Sequence, residues 1–165
     1  MKYQTMDVIL FRPAKWNLFG RLIAWITGSP FSHTAVVLDG ETGLLIEATA
    51  TVKTSSLRKD KRHGEVWRYR RGLTAPQVLA AERYLVGLLG TVYDFGNLVD
   101  IFINLFRRAF GRPYRAYFQS DGRPVCSELV SRAYGAAGVT LCPGKPLWVV
   151  TPADLASCGF LERVV

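Results

Sequence analysis

An α+β fold built on an antiparallel sheet is predicted by three features of this 165-residue chain. Strand-like apolar runs bounded by turn residues recur through the first 70 residues. Two of them face each other across the turn-forming Asp39-Gly40 and Glu41-Thr42-Gly43. From residue 76 onward the apolar spacing becomes helical.

The elements follow in order. Residues 6–11 form a short apolar run that reads as a buried strand. Residues 16–26 place Leu18, Phe19, Leu22, Ile23, Trp25 and Ile26 at helical spacing, and Gly28-Ser29-Pro30 ends that helix. His33 opens a strand over 34–38, and residues 44–50 resume the pattern as its hairpin partner. A basic loop follows, and then residues 65–70 alternate as a half-exposed strand does. Pro76, the apolar face of Val78, Ala81, Leu85 and Leu88, and Gly90 define a helix with both terminal signals. Residues 95–110 read as a further helix, broken by Asn97, Asp100 and Asn104. Cys126, Leu129, Val130, Ala133, Tyr134 and Ala137 share one helical face that Gly138 terminates. Thr151-Pro152 starts a last short helix, and residues 160–165 read as a closing strand.

The composition, 49% apolar, 21% charged and 12% aromatic, excludes a disordered chain, a collagen-like repeat and a coiled coil. No linker or repeat divides the sequence, so residues 1–165 are expected to form a single domain. The longest unbroken apolar run is five residues, far below the roughly 20 that span a bilayer. Residues 1–7 reach an acid before any apolar core of signal-peptide length, so a cytoplasmic or membrane-peripheral location is expected. Export by a phage or secretion-system route is the alternative.

The formal charge of +8 is concentrated. Residues 53–71 carry eight Lys and Arg against Asp60 and Glu65, and Arg107, Arg108, Arg112, Arg115 and Arg123 are offset by Asp121. Such fields favour anionic partners, a membrane surface or cell-wall polymer ahead of nucleic acid; the bland alternative is a solvated basic loop.

Three cysteines, Cys126, Cys142 and Cys158, are too few for a disulfide framework, and their 16-residue spacing forms no zinc motif. Cys126 stands at the first turn of a helix, where unpaired N–H groups and the helix dipole favour a thiolate. A small apolar core residue is the competing reading of the same position. His33 sits at a strand start beside a loop, a common place to present an imidazole. Glu47 lies in an apolar run of the partner strand, where a carboxylate needs a partner. Strands in a hairpin lie about 5 Å apart, which puts Glu47 within reach of the His33 ring. Thiolate, imidazole and ring-orienting acid are the set used in nucleophilic acyl transfer. Glu128 is expected to be a solvated acid of the first helical turn, and His63 an exposed member of the basic loop.

Five segments carry a family resemblance: Asp7-Val8-Ile9-Leu10-Phe11, Thr27-Gly28-Ser29-Pro30-Phe31-Ser32-His33-Thr34-Ala35-Val36-Val37, Ile46-Glu47-Ala48, Tyr93-Asp94-Phe95 and Val125-Cys126-Ser127-Glu128-Leu129-Val130. In this order the chain resembles the circularly permuted branch of the NlpC-like, papain-like cysteine hydrolases, closest to YiiX-like proteins and more distantly to lecithin retinol acyltransferase. Thr151-Pro152-Ala153-Asp154-Leu155 is similar to the segment that closes such domains. The resemblance implies a papain-like fold in permuted order, a barrel-like antiparallel sheet packed on the helix of Cys126. It also implies Cys126 as nucleophile, His33 as base, Glu47 as the orienting acid and Tyr93 near the site. The expected activity is cleavage of an amide, in a peptide or cell-wall peptide, or of a lipid acyl bond, with no metal or organic cofactor. A non-catalytic basic module that binds membrane or nucleic acid is the alternative.

Overall fold

The computed structural model describes residues 3–60, 62–92, 103, 107, 111, 112 and 126–164. Its centre is a six-stranded antiparallel sheet. The strands are β1 (Val8–Phe11), β2 (His33–Asp39), β3 (Leu44–Ala48), β4 (Val52–Ser56), β5 (Gly64–Tyr69) and β6 (Leu161–Arg163), in the spatial order β4-β3-β2-β1-β5-β6. Helix α1 (Leu18–Thr27) joins β1 to β2, α2 (Ala75–Gly87) follows β5, and α3 (Cys126–Ala136) and α4 (Pro152–Ser157) precede β6. The chain is thus an α+β protein. Among the described residues the strand order has two ends, so the hydrogen-bonded ladder does not close into a barrel.

Alternation along the strands divides the core. Val8, Leu10, Val36 and Ile46 point to the side covered by α2 and α3, where Leu85, Leu129, Val130 and Tyr134 complete the larger cluster. Ile9, Phe11, Ala35, Val37, Leu45 and Val66 form a second, smaller cluster on the other face. His33 and Glu47 have the strand parity of this smaller cluster.

The expected hairpin is present, with Asp39 accepting from the Glu41 backbone N–H and the Thr42 hydroxyl in its turn. Helix α1 starts at an Asn17 cap, whose Oδ1 accepts from Gly20 N, and stops at Gly28 in the left-handed region. The basic loop, by contrast, contains a strand, β4, and a 3-10 turn, Leu57–Lys59. Apart from Ile103 and Arg107, both helical, the helix expected over 95–110 lies outside the described residues, as does Tyr93. Glu128 is not solvated: its side chain is buried and accepts from Arg132 Nε one turn on, at 2.7 Å. Among the described residues no helix is long and apolar enough to cross a membrane.

One buried ion pair ties the N-terminal strand to the sheet. Arg68 on β5 clamps the buried Asp7 carboxylate through Nε at 2.7 Å and Nη2 at 2.8 Å, and Asp7 also accepts from Gln4 N. Removing the cation would strand a carboxylate without solvent. Arg68→Met is expected to lower stability by about 3 kcal/mol, because breaking a buried pair from one side leaves an uncompensated charge. Urea unfolding measures this, and a loss within error of zero would mean that the Asp7 carboxylate reaches water.

Candidate active site

The site begins with strand pairing. Phe11 and His33 face each other across the β1–β2 ladder, and their rings stack at 5.8 Å with an interplanar angle of 28°. On its other neighbour Phe11 meets Gly64, where a side chain would collide with the Phe11 ring and with Ile9. Gly64 therefore leaves the space in which Phe11 lies flat enough to support the imidazole.

Glu47 comes from the next strand and meets the ring edge-on, with His33 Nε2 donating to Oε2 at 2.7 Å. A carboxylate only accepts, so Nε2 carries the proton and Nδ1 is left for the thiol. The same Oε2 accepts from Arg62 Nη2 at 2.9 Å. Arg62 is itself held by Asp60 through Nε and lies over the Phe11 ring, 4.0 Å from the centroid. These contacts make one connected array, Asp60–Arg62–Glu47–His33, with Phe11 as its floor.

Cys126, at the start of α3, lies beside His33, close enough for the thiol and the imidazole to shift each other's titration. Ser127 fixes this helix end: its hydroxyl donates to the Val150 carbonyl at 2.5 Å in the buried interior. The structure thus brings together the three residues singled out from the sequence, Cys126, His33 and Glu47. His63 is exposed, as expected.

Charge and burial set the protonation states. Burial works to lower the imidazole of His33, but the hydrogen bonds to Cys126 and Glu47, with the charges of both, push it up to about 9. Burial likewise works to raise the Glu47 carboxyl, and the His33 bond with the charges of His33 and Arg62 hold it down to about 2. For Cys126 burial favours the thiol. The His33 bond and charge, helped by Thr34, prevail and bring the thiol below its ordinary value. Each of these shifts acts in the direction that favours a thiolate beside an imidazolium, backed by a carboxylate.

Three participants were not singled out in the sequence: Arg62, Asp60 and Thr34. Arg62 sits in a run of cations whose obvious reading is solvent exposure. The one signal for it was that a buried Glu47 has more lone pairs than one imidazole satisfies. The structure also engages other cations of residues 53–71: Arg68 holds Asp7, and Arg58 donates to the Glu41 carbonyl. Lys53, Lys59, Arg70 and Arg71 remain exposed.

The other two thiols are free and close enough to shift each other's titration, and Cys158 Sγ also donates to the Leu155 carbonyl at 3.3 Å. A hydrogen bond from Cys142 lowers Cys158, against its burial, while the same bond and burial raise Cys142. Low thiol pKa is therefore not confined to the helix start. Among the described residues no group of three or more His, Cys, Asp or Glu side chains is placed to hold a metal ion.

No family model matches the chain, and no curated protein matches it. Its fold is similar to that of YiiX of Escherichia coli O157:H7, whose crystal structure is described as that of a metalloprotein. The two superpose with a TM-score of 0.72 at 22% identity, over 100% of this chain and 98% of YiiX. This likeness establishes a shared α+β fold over the full length of both chains.

The Glu47 carboxyl links the site to stability in acid. Its pKa lies near 4.5 when unfolded and about 2 when folded, so the stability it contributes is complete above about pH 4.5 and fades as pH falls towards 2. Glu47→Gln is expected to be less stable than wild type at pH 7 and to lose less on acidification through that window. Between the ordinary values of His and Cys the Cys126–His33 pair adds no slope, because the unfolded chain keeps on the thiol the one proton that the folded chain keeps on the imidazole. Denaturant titrations across pH measure both, and parallel acid limbs for wild type and Glu47→Gln would contradict the pairing.

Proposed function

We propose that the chain is a cysteine hydrolase that cleaves an amide or an ester-linked acyl group through Cys126, His33 and Glu47, on a papain-like fold in permuted order. The observation that carries this reading is the His33–Glu47 hydrogen bond at 2.7 Å, with the Cys126 thiol beside the same imidazole. Chain order supports the permuted assignment, since histidine precedes the acid and the cysteine comes last. The full-length likeness to YiiX supports a fold shared with the proteins that the sequence resembles.

In this mechanism the Cys126 thiolate attacks the acyl carbon while the positive end of α3 faces the developing oxyanion. His33 gives its Nδ1 proton to the departing amine or alcohol as the thioester forms. Water then gives a proton to His33 Nδ1 and attacks the thioester. The acid leaves, and thiolate and imidazolium are restored. Glu47 holds the ring by its Nε2–H throughout and stabilises the imidazolium, and Arg62 keeps Glu47 ionised. YiiX is described as a metalloprotein. The described residues of this chain provide no three-ligand group for a metal, so no step is assigned to one.

Cys126→Ala is expected to reduce turnover of an activated ester or a peptide amide by about 10³-fold or more, as loss of a nucleophile does in enzymes whose residues act as a unit. Cys142→Ala and Cys158→Ala should remain close to wild type. Glu47→Gln should be milder than His33→Ala, because Gln still accepts from Nε2 but cannot stabilise the imidazolium by charge. Steady-state rates of the purified variants measure this series. Undiminished turnover in Cys126→Ala would refute the mechanism, and wild-type protein inert towards both substrate classes would favour the basic binding module.

A further inference from the structure

Helix α1 is apolar on both of its sides, which a surface helix of a folded protein ordinarily is not. Gly20 is buried, and Ile23, Ala24 and Thr27 are half-buried, so this face packs against the protein. The opposite face carries Leu18, Leu22 and Trp25, at i, i+4 and i+7, which are 74%, 44% and 76% exposed. Trp16, immediately before the cap, is 94% exposed. Leu18, Leu22 and Trp25 thus form one outward stripe with the exposed indole of Trp16 just before it in the chain, more than isolated surface hydrophobes would give.

The charge carried by this segment of chain has one sign. Between Asp7 and Asp39 the sequence contains no acidic residue, and it carries Arg12, Lys15 and Arg21. Arg21 flanks the stripe, about one turn from both Leu18 and Trp25, and is exposed, as is Lys15, while Arg12 is exposed but pairs with Glu65 at 2.7 Å. Indole rings and leucines flanked by long cationic side chains match the boundary between acyl chains and phosphate, where Trp lies at headgroup depth and Arg and Lys reach the anions.

We propose that α1 is an interfacial helix that docks the protein on an anionic phospholipid bilayer. Trp16, Leu18, Leu22 and Trp25 enter the acyl boundary, and Lys15 and Arg21 meet the phosphates. A second copy of this chain would satisfy the leucines and indoles equally well, but its own Lys15 and Arg21 would then face like charges. The helix also leads from Phe11, the floor of the site, to His33 itself. Docking through α1 therefore puts the strand ends that carry the site on the membrane side of the molecule.

Flotation of the full chain with phosphatidylcholine vesicles, with and without admixed phosphatidylglycerol, tests this. Cys126→Ala protein serves as the parent, so that the outcome is independent of any turnover. Binding is expected only with phosphatidylglycerol present, weakening as salt rises. Trp16→Ala/Trp25→Ala should weaken it about tenfold or more, and Arg21→Gln about fivefold, the usual effect of one cation near such a surface. Both variants should unfold at the wild-type temperature, because the replaced side chains are already exposed. Equal binding by parent and indole variant would overturn the proposal, as would binding abolished instead by Arg70→Gln/Arg71→Gln. Self-association in sedimentation that disappears in the indole variant would also overturn it, by showing that the stripe is an interface between copies.

Discussion

A carboxylate without solvent is the constraint around which this site is organised. Glu47 sits on the third of six strands with its side chain almost wholly buried. An unpaired charge there would cost several kcal/mol after relaxation, enough to remove much of the stability of a domain this size. The strand is tenable because two donors meet the carboxylate, the His33 ring and the Arg62 guanidinium. The ring cannot turn away without leaving Glu47 short of a partner, and the orientation of His33 is fixed by that requirement. Phe11 completes the restraint by stacking on the ring from below while carrying Arg62 over its other part.

The two faces of the sheet then divide the work. Glu47, Phe11 and His33 belong to the face of the smaller core, whereas α3 brings Cys126 in from the face of the larger core. They meet at the beginning of β2, where the strand emerges from the loop after α1 and side chains from both faces come together. Helix α3 holds its position because it is buried over its first six residues and anchored at both ends. Ser127 bonds the Val150 carbonyl, and the Tyr134 hydroxyl donates to the Met6 carbonyl at 2.7 Å. The order in which the chain visits these elements has no bearing on the contact itself, so a permuted connection can present the same side chains.

The sequence revealed the parts of this arrangement that rest on local rules. The hairpin follows from the Asp39–Gly43 turn, and its short reach is what joined Glu47 to His33 in advance. The helix beginning at Cys126 follows from apolar spacing and Gly138. What escaped notice rests on long-range pairing. Strand β4 has one buried apolar residue, Val52, among Lys53, Thr54, Ser55 and Ser56, so as an edge strand it lacks the apolar signal of a central one. Arg62 resembles its solvated neighbours until the turn after β4 folds it back onto Glu47. Glu128 reads as a surface acid because nothing in its own position shows that Arg132 and the surrounding helix will bury it. Helix α1 follows from the spacing of its apolar residues, but spacing alone cannot say which of its two apolar sides meets the protein.

The activated thiolate is the feature on which the proposed chemistry stands, and iodoacetamide alkylation followed across pH at each cysteine separately is its most direct measure. Residue-resolved mass spectrometry is needed, because Cys158 is also held below its ordinary value and would obscure a bulk thiol reading. Cys126 should titrate well below the ordinary thiol value of about 8.5, and His33→Ala should move it up towards that value while Cys142 and Cys158 keep their own curves. A Cys126 that titrates as an ordinary thiol and is indifferent to His33→Ala would contradict the ion pair and, with it, the proposed mechanism.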